Sequence, residues 1–257
     1  MISWGTRRKI TIVGSVFFAL LIVFATLVFV FFRPHPTCND GMKNQDELGI
    51  DCGGACSKVC SVEVSDIVVH WARVFKVSPS VYDAAALLEN PNIGFAAKNL
   101  RYTLKVYDEK NVLVAERTGV TFVNEKDRFV LFEPRIDVGN RIPVRASLVL
   151  EPVVWQRLPA KQGTVVGTEL SVSGQRLITT PSLRLTATIT NNAGVTIAPV
   201  AVSAVVSDEK GNVLGVSSTS IDSIESGQSA PVFFTWPNGF AGTPTSIEIL
   251  PRIHETF

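Results

Sequence analysis

Apolar positions run unbroken from Ile10 to Phe32, with no Asp, Glu, Lys, Arg, Asn or Gln among them. At ~1.5 Å per residue a helix of this length reaches roughly 35 Å, enough to cross a ~30 Å hydrocarbon core with some tilt. Residues 10–32 are therefore predicted to be a transmembrane helix in contact with lipid. A cleaved signal peptide is the main rival, but its apolar region would be about 7–15 residues long and end at small residues. Here the run exits through Phe29, Val30, Phe31, Phe32, Arg33 and Pro34. A buried core helix would show a polar face. Arg7, Arg8 and Lys9 precede the run and only Arg33 follows it closely. That bias predicts a cytoplasmic N-terminus, residues 1–9, and an extracytoplasmic remainder at the cell membrane.

From Ile67 the pattern shortens to β-type runs. Leu100, Tyr102, Leu104 and Val106 alternate onto one strand face. Strands are expected at 67–77, 81–88, 100–107, 112–116, 119–123, 128–132 and 144–150 in a first domain, residues 63–152. A second domain, 167–257, carries strands at 168–172, 183–190, 200–206, 213–218, 232–235 and 246–250. Short strands at ~8–12-residue spacing, separated by Asn, Asp, Gly and Pro, predict sandwiches. The segment 153–166 is read as a linker, with Trp155 either packed between the domains or completing the core of the first. Val106-Tyr107-Asp108-Glu109-Lys110-Asn111-Val112 returns as Val206-Ser207-Asp208-Glu209-Lys210-Gly211-Asn212-Val213, and Asn90 and Asn191 stand at similar distances ahead. The expectation is an internal duplication of ~100 residues.

The second domain has a strand ending in Thr190-Asn191-Asn192, then Asp208-Glu209-Lys210-Gly211-Asn212-Val213-Leu214-Gly215, then Ile221-Asp222-Ser223-Ile224-Glu225-Ser226-Gly227 and Phe233-Phe234. Over about 80 residues this layout resembles the FxLYD-type domains of bacterial envelope proteins, and Ig-like sandwiches more broadly. The resemblance is weaker in the first domain, where the Lys110-Asn111 turn lacks the glycine. It implies an accessory extracytoplasmic module and not a catalyst. The fold class expected for the whole chain is mainly β: one transmembrane helix, a small disulfide-rich stalk at 33–62, and two tandem Ig-like antiparallel β-sandwiches.

All four cysteines, Cys38, Cys52, Cys56 and Cys60, fall inside the stalk. An even number on the oxidising side of a membrane reads as two disulfides; three pairings exist and spacing does not choose among them. Asp40, Asn44, Asp46, Glu47 and Asp51 supply hard oxygen donors that suit Ca²⁺. The pattern is not an EF-hand, because Met42 and Gln45 occupy the third and sixth loop positions counted from Asp40. It resembles Notch-type repeats, and the C-x-D-G-x-x-N-x-x-E-x-x-x-D-C-G-G-x-C stretches of bacterial surface proteins. A disulfide-knotted stalk with solvated carboxylates is the plainer reading, and a four-cysteine zinc site fits the spacing poorly.

Charge adds little. The net charge is +1, and no dense Lys/Arg cluster follows Lys9, so nucleic acid is not an expected partner. His35, His70 and His254 form no H-x-x-H pair, and no Gly-x-Ser-x-Gly elbow occurs, so an enzyme is not expected. The turn carrying Trp236, Asn238 and Phe240 lies near a sandwich end and is the weak candidate for a binding loop. The expected function is non-catalytic binding, adhesion or assembly with a protein or envelope component. An accessory subunit docking through its membrane helix is the alternative.

Overall fold

The computed structural model describes residues 4–31, 37–159, 169–180 and 182–254. The expected helix end at Phe32, the stalk start at 33–36, the second half of the linker with the strand start at Thr168, and residues 255–257 lie outside them. The chain divides into two compact units, Met1–Cys56 and Ser57–Phe257.

In the first unit, α1 covers Trp4–Phe31. Its stretch Ile12–Phe29 has a mean hydropathy of 2.8, none of it buried against protein, and is long and apolar enough to cross a membrane. Two hydroxyls of that stretch bond inside the helix: Ser15 Oγ donates to Ile12 O, and Thr26 Oγ1 to Ile22 O and Val23 O. Such back-bonding lets polar side chains sit in an apolar run.

The second unit is built from β1 (Val68–Lys76), β2 (Val81–Glu89), β3 (Phe95–Asp108), β4 (Leu113–Val123), β5 (Arg128–Asp137), β6 (Pro143–Leu150) and the short β7 (Gln156–Arg157). It continues with β8 (Leu170–Ile178), β9 (Arg184–Asn191), β10 (Val200–Ser207), β11 (Val213–Ile221), β12 (Ser229–Thr235) and β13 (Ser246–Ile253). Sheet β1-β2-β5 faces β4-β3-β6, with β7 paired to β3, and sheet β8-β9-β12 faces β11-β10-β13. Every pairing is antiparallel. Each sandwich thus makes a hairpin in one sheet and a hairpin in the other, then returns one strand to each. The two repeats share one topology.

Two expected strands, 112–116 and 119–123, are one continuous β4. Gly119 does not break it. It pairs with Tyr102, whose ring fills the space a side chain would need: a Cβ at Gly119 would lie 2.4 Å from it. Strand β8 runs on through Gly174, which takes a φ of +63° where the pairing with β9 shifts register. Glycine marks a bulge there.

The core of the first sandwich joins Leu88, Leu100, Val123 and Phe129 at one end to Leu104, Val106 and Ile136 at the other. Trp155 packs against the first of these clusters and so completes the first core. Leu185, Ile189, Val202 and Phe234 centre the second core. A separate apolar layer joins the sandwiches: Trp71, Phe75, Ala85, Val130 and Phe132 on the outer face of β1-β2-β5 meet Val205, Val213 and Val216 of β10 and β11. Polar ties surround it. Arg128 Nε donates to Glu248 Oε1 at 2.8 Å, and Asn124 Nδ2 to Ile253 O at 2.9 Å. Arg252 is sandwiched between the Phe122 and Phe129 rings while its Nε donates to Asp127 Oδ2 at 2.9 Å.

Candidate functional site

The cysteine segment is oxidised throughout. Cys38 is bonded to Cys56, Cys52 and Cys60 are disulfide-bonded as well, and no free cysteine remains. No thiolate is left for zinc. Within 37–56 the acidic residues serve mainly as acceptors for backbone amides. Asp51 Oδ1 accepts from Asp40 N at 2.9 Å and its Oδ2 from Gly41 N at 3.0 Å. Asp40 accepts from Thr37 N, Asn44 Nδ2 and Met42 N at 2.9–3.0 Å. Those donors, Thr37 first, hold the Asp40 carboxyl below the usual carboxylate range. Glu47 is buried, and its Oε2 accepts from Asp51 N at 3.1 Å and Asn44 N at 3.3 Å.

The five expected oxygen donors do not converge equally. Asp40, Asn44, Glu47 and Asp51 are knitted through these bonds, whereas Asp46 is exposed and contributes its backbone: a Cβ on Gly54 would lie 1.9 Å from Asp46 O. Among the described residues, Cys38, Glu47 and Cys56 are the acidic and sulfur-bearing group whose ligand-type atoms lie within 4.8 Å of one another, and two of these atoms are the bonded sulfurs. Asn44 Oδ1 is buried with no hydrogen-bond partner among the described residues. Glu47 Oε1 lies 3.1 Å from Cys56 Sγ, an oxidised sulfur with no proton to give.

The expected binding loop is a clasp between the sandwiches. Asn238 Nδ2 donates to Lys76 O at 3.1 Å and Val77 O at 2.9 Å. Trp236 Nε1 donates to Val216 O at 3.1 Å, and its ring meets Phe240 edge-on at 5.2 Å. Both rings close over Gly215, where a Cβ would come 2.6 Å from Phe240 and 2.9 Å from Trp236 Nε1. Together with β1, β11 and the start of β6, this loop walls a cleft of about 800 Å³. Sequence reasoning missed Arg73, Phe75 and Lys76 as residues of this wall. The available signal was their place on a strand next to Trp71.

The two described histidines are engaged elsewhere. His70 Nε2 is 2.8 Å from Glu89 Oε2, and the His254 ring packs edge-on to Phe122. The His70 bond, ahead of Arg128, holds the Glu89 carboxyl below its ordinary range.

No family model matches the chain, and no curated protein matches it. Among solved structures the chain is similar to red sea bream transglutaminase, with 12% identity and a TM-score of 0.26. The match covers 75% of this chain and 32% of that one, so the chain spans about a third of that protein's length. A likeness at this score carries no argument about chemistry.

Proposed function

We propose that the chain is a single-pass membrane protein with its N-terminus in the cytoplasm, holding a non-catalytic pair of sandwiches outside as a binding or assembly module. The observation that carries this reading is one chain combining a helix whose stretch Ile12–Phe29 is apolar with fully oxidised cysteines and two β-sandwiches. Disulfides persist in oxidising compartments. The test is proteinase K treatment of intact cells carrying the chain tagged at both ends. The C-terminal tag is expected to be lost and the N-terminal tag to survive on a membrane-bound fragment; protection of the C-terminal tag would overturn the reading. Replacing residues 10–32 with an unrelated apolar span should leave cross-linked partners unchanged. Their loss would mean that the helix itself docks.

A second reading concerns the cysteine segment, which we propose binds Ca²⁺. Buried Asn44 Oδ1, without a donor among the described residues, and Glu47 Oε1 beside a disulfide sulfur favour a cation there. Calorimetric titration of the full chain in detergent micelles with calcium chloride is the check. Stoichiometric heat, lost on Glu47→Gln, supports it. Absence of heat, with melting unchanged by a chelator, leaves the disulfides and amide–carboxylate bonds as the staples.

A further inference from the structure

The cleft walled by β1, β11 and the Trp236–Phe240 loop combines three features that suit a ligand.

The first is uncompensated positive charge. Arg73, Lys76 and Arg145 line the cleft, and the one acidic residue in its wall is Asp83. Neither Arg73 nor Lys76 forms an ion pair among the described residues. Arg145 stacks on the Tyr107 ring at 4.4 Å and donates to Asn111, so it is held in place without a counter-charge. Asp83 Oδ1 already accepts from Arg135 N at 2.8 Å, which turns it away from service as a partner for the cleft cations. Alternation places Arg73 on the face shared by Trp71 and Phe75, the residues that pack against the second sandwich. Arg73 is half-buried, so an anion entering the cleft would meet a partly desolvated guanidinium with no ion-pair partner among the described residues.

The second feature is the strand edge of β1 ahead of the clasp, which itself occupies Lys76 O and Val77 O on β1 and Val216 O on β11. Among the described residues β1 is hydrogen-bonded to β2 alone and β11 to β10 alone. Unpaired edge amides and carbonyls are templates for a further extended segment. The third is an apolar anchor: Phe75, Trp236 and Phe240 line the same cleft. A volume of about 800 Å³ is of the size that takes an organic ligand or several residues, far more than a single ion.

We propose that this cleft binds an extended acidic polypeptide segment, laid along the edge of β1 ahead of Lys76 with an apolar side chain against Trp236 and Phe240. The proposal rests on the binding-module reading above and names the class of partner. One carboxylate of the segment meets Arg73, another meets Lys76 on the opposite face of β1, and an apolar side chain enters the aromatic end. Alternation of acidic and apolar residues is what a strand with one wet and one buried face presents.

The test uses the full-length chain in detergent micelles and a fluorescein-labelled dodecapeptide of alternating glutamate and valine, followed by anisotropy. Saturable binding is expected, weakened by added salt. The Arg73→Glu, Lys76→Glu double variant should bind at least about tenfold more weakly, since two attractive contacts become repulsive. Phe240→Ala keeps the charges and removes the anchor, and should weaken binding several-fold. Melting curves of both variants establish that they fold; if the double variant does not, Phe240→Ala decides. A lysine–valine dodecapeptide should not bind. Failure of the glutamate–valine peptide, equal affinity in every folded variant, or binding of heparin alone would overturn the proposal. The protease experiment would still decide membrane display independently.

Discussion

Two side chains repeated across the duplication carry much of the loop geometry. Asn90 Nδ2 donates to Phe95 O and Asn124 O, while its Oδ1 accepts from Asn92 N. Asn191 does the same with Val195 O, Ile224 O and Ala193 N. Each asparagine is fully buried and ties the loop after β2 or β9 to the loop ahead of β5 or β12. Asn191→Ala strands three backbone groups, and at ~1 kcal/mol or more each the second sandwich should lose about 3 kcal/mol, read by thermal melting. Asp108 and Asp208 also act alike: each Oδ1 caps its hairpin by accepting from the residue two ahead, Lys110 or Lys210, and from the residue four ahead, Val112 or Asn212. The Val112 amide chiefly lowers the Asp108 carboxyl, and the Asn212 side chain that of Asp208. With folded values below unfolded ones, this stabilisation is complete above the unfolded carboxylate range of ~3.9 and disappears as pH falls through the folded values. Asp83 runs the other way, because burial raises its carboxyl. Its ionisation on going from acid to neutral pH opposes folding. Asp83→Asn, which keeps an acceptor for Arg135 N, should melt above the native chain at pH 7 and match it in acid where both are neutral.

At the level of elements, alternation was the readable part. Strand β3 buries Leu100, Tyr102, Leu104 and Val106, the four residues that share a face in the pattern. The glycines were harder, because a glycine marks a turn and a close approach with the same letter. Gly119 and Gly215 are close approaches, decided by the ring of the cross-strand partner Tyr102 and by the rings of the Trp236–Phe240 loop. Gly215→Ala must displace Phe240 or Trp236 and with it the Trp236 Nε1 bond to Val216 O. A loss of about 1–3 kcal/mol and a red shift of tryptophan emission are expected. In the cysteine segment the donor types were legible but their direction was not. Gln45, Asp46 and Asp51 all take positive φ without being glycine. Such local backbone choices, tolerated best by Asn and Asp, turn the carboxylates of Asp40 and Asp51 onto amides, and nothing in residue spacing specifies them.

For the whole second unit, the informative strands are the two that fail to alternate. In β2 the run Ala84–Leu88 is buried on both faces, as is Val202–Val206 in β10. A strand covered on both sides reads as a continuous apolar run, and that pattern was present in the sequence as the mark of a sheet-to-sheet interface. The faces that occupy the same places in the other repeat are polar: β9 turns Arg184, Thr186, Thr188 and Thr190 outward, and β3 turns Arg101, Thr103 and Lys105 outward. The two repeats therefore carry one apolar outer face each, on different sheets. A head-to-tail contact between like units would otherwise continue into a filament; here the polar outer faces end it after two. If this layer couples the sandwiches, the second unit should unfold in one calorimetric transition. Val205→Asp puts a charge into the layer, where Val205 packs with Ala85, Val213 and Val216, without touching either sandwich core. An unpaired buried charge costs several kcal/mol, so the variant should resolve into two transitions while both sandwiches stay folded. Two transitions already present in the native chain would mean that the apolar layer contributes contact but little coupling, and the cleft beside it would then have no fixed width.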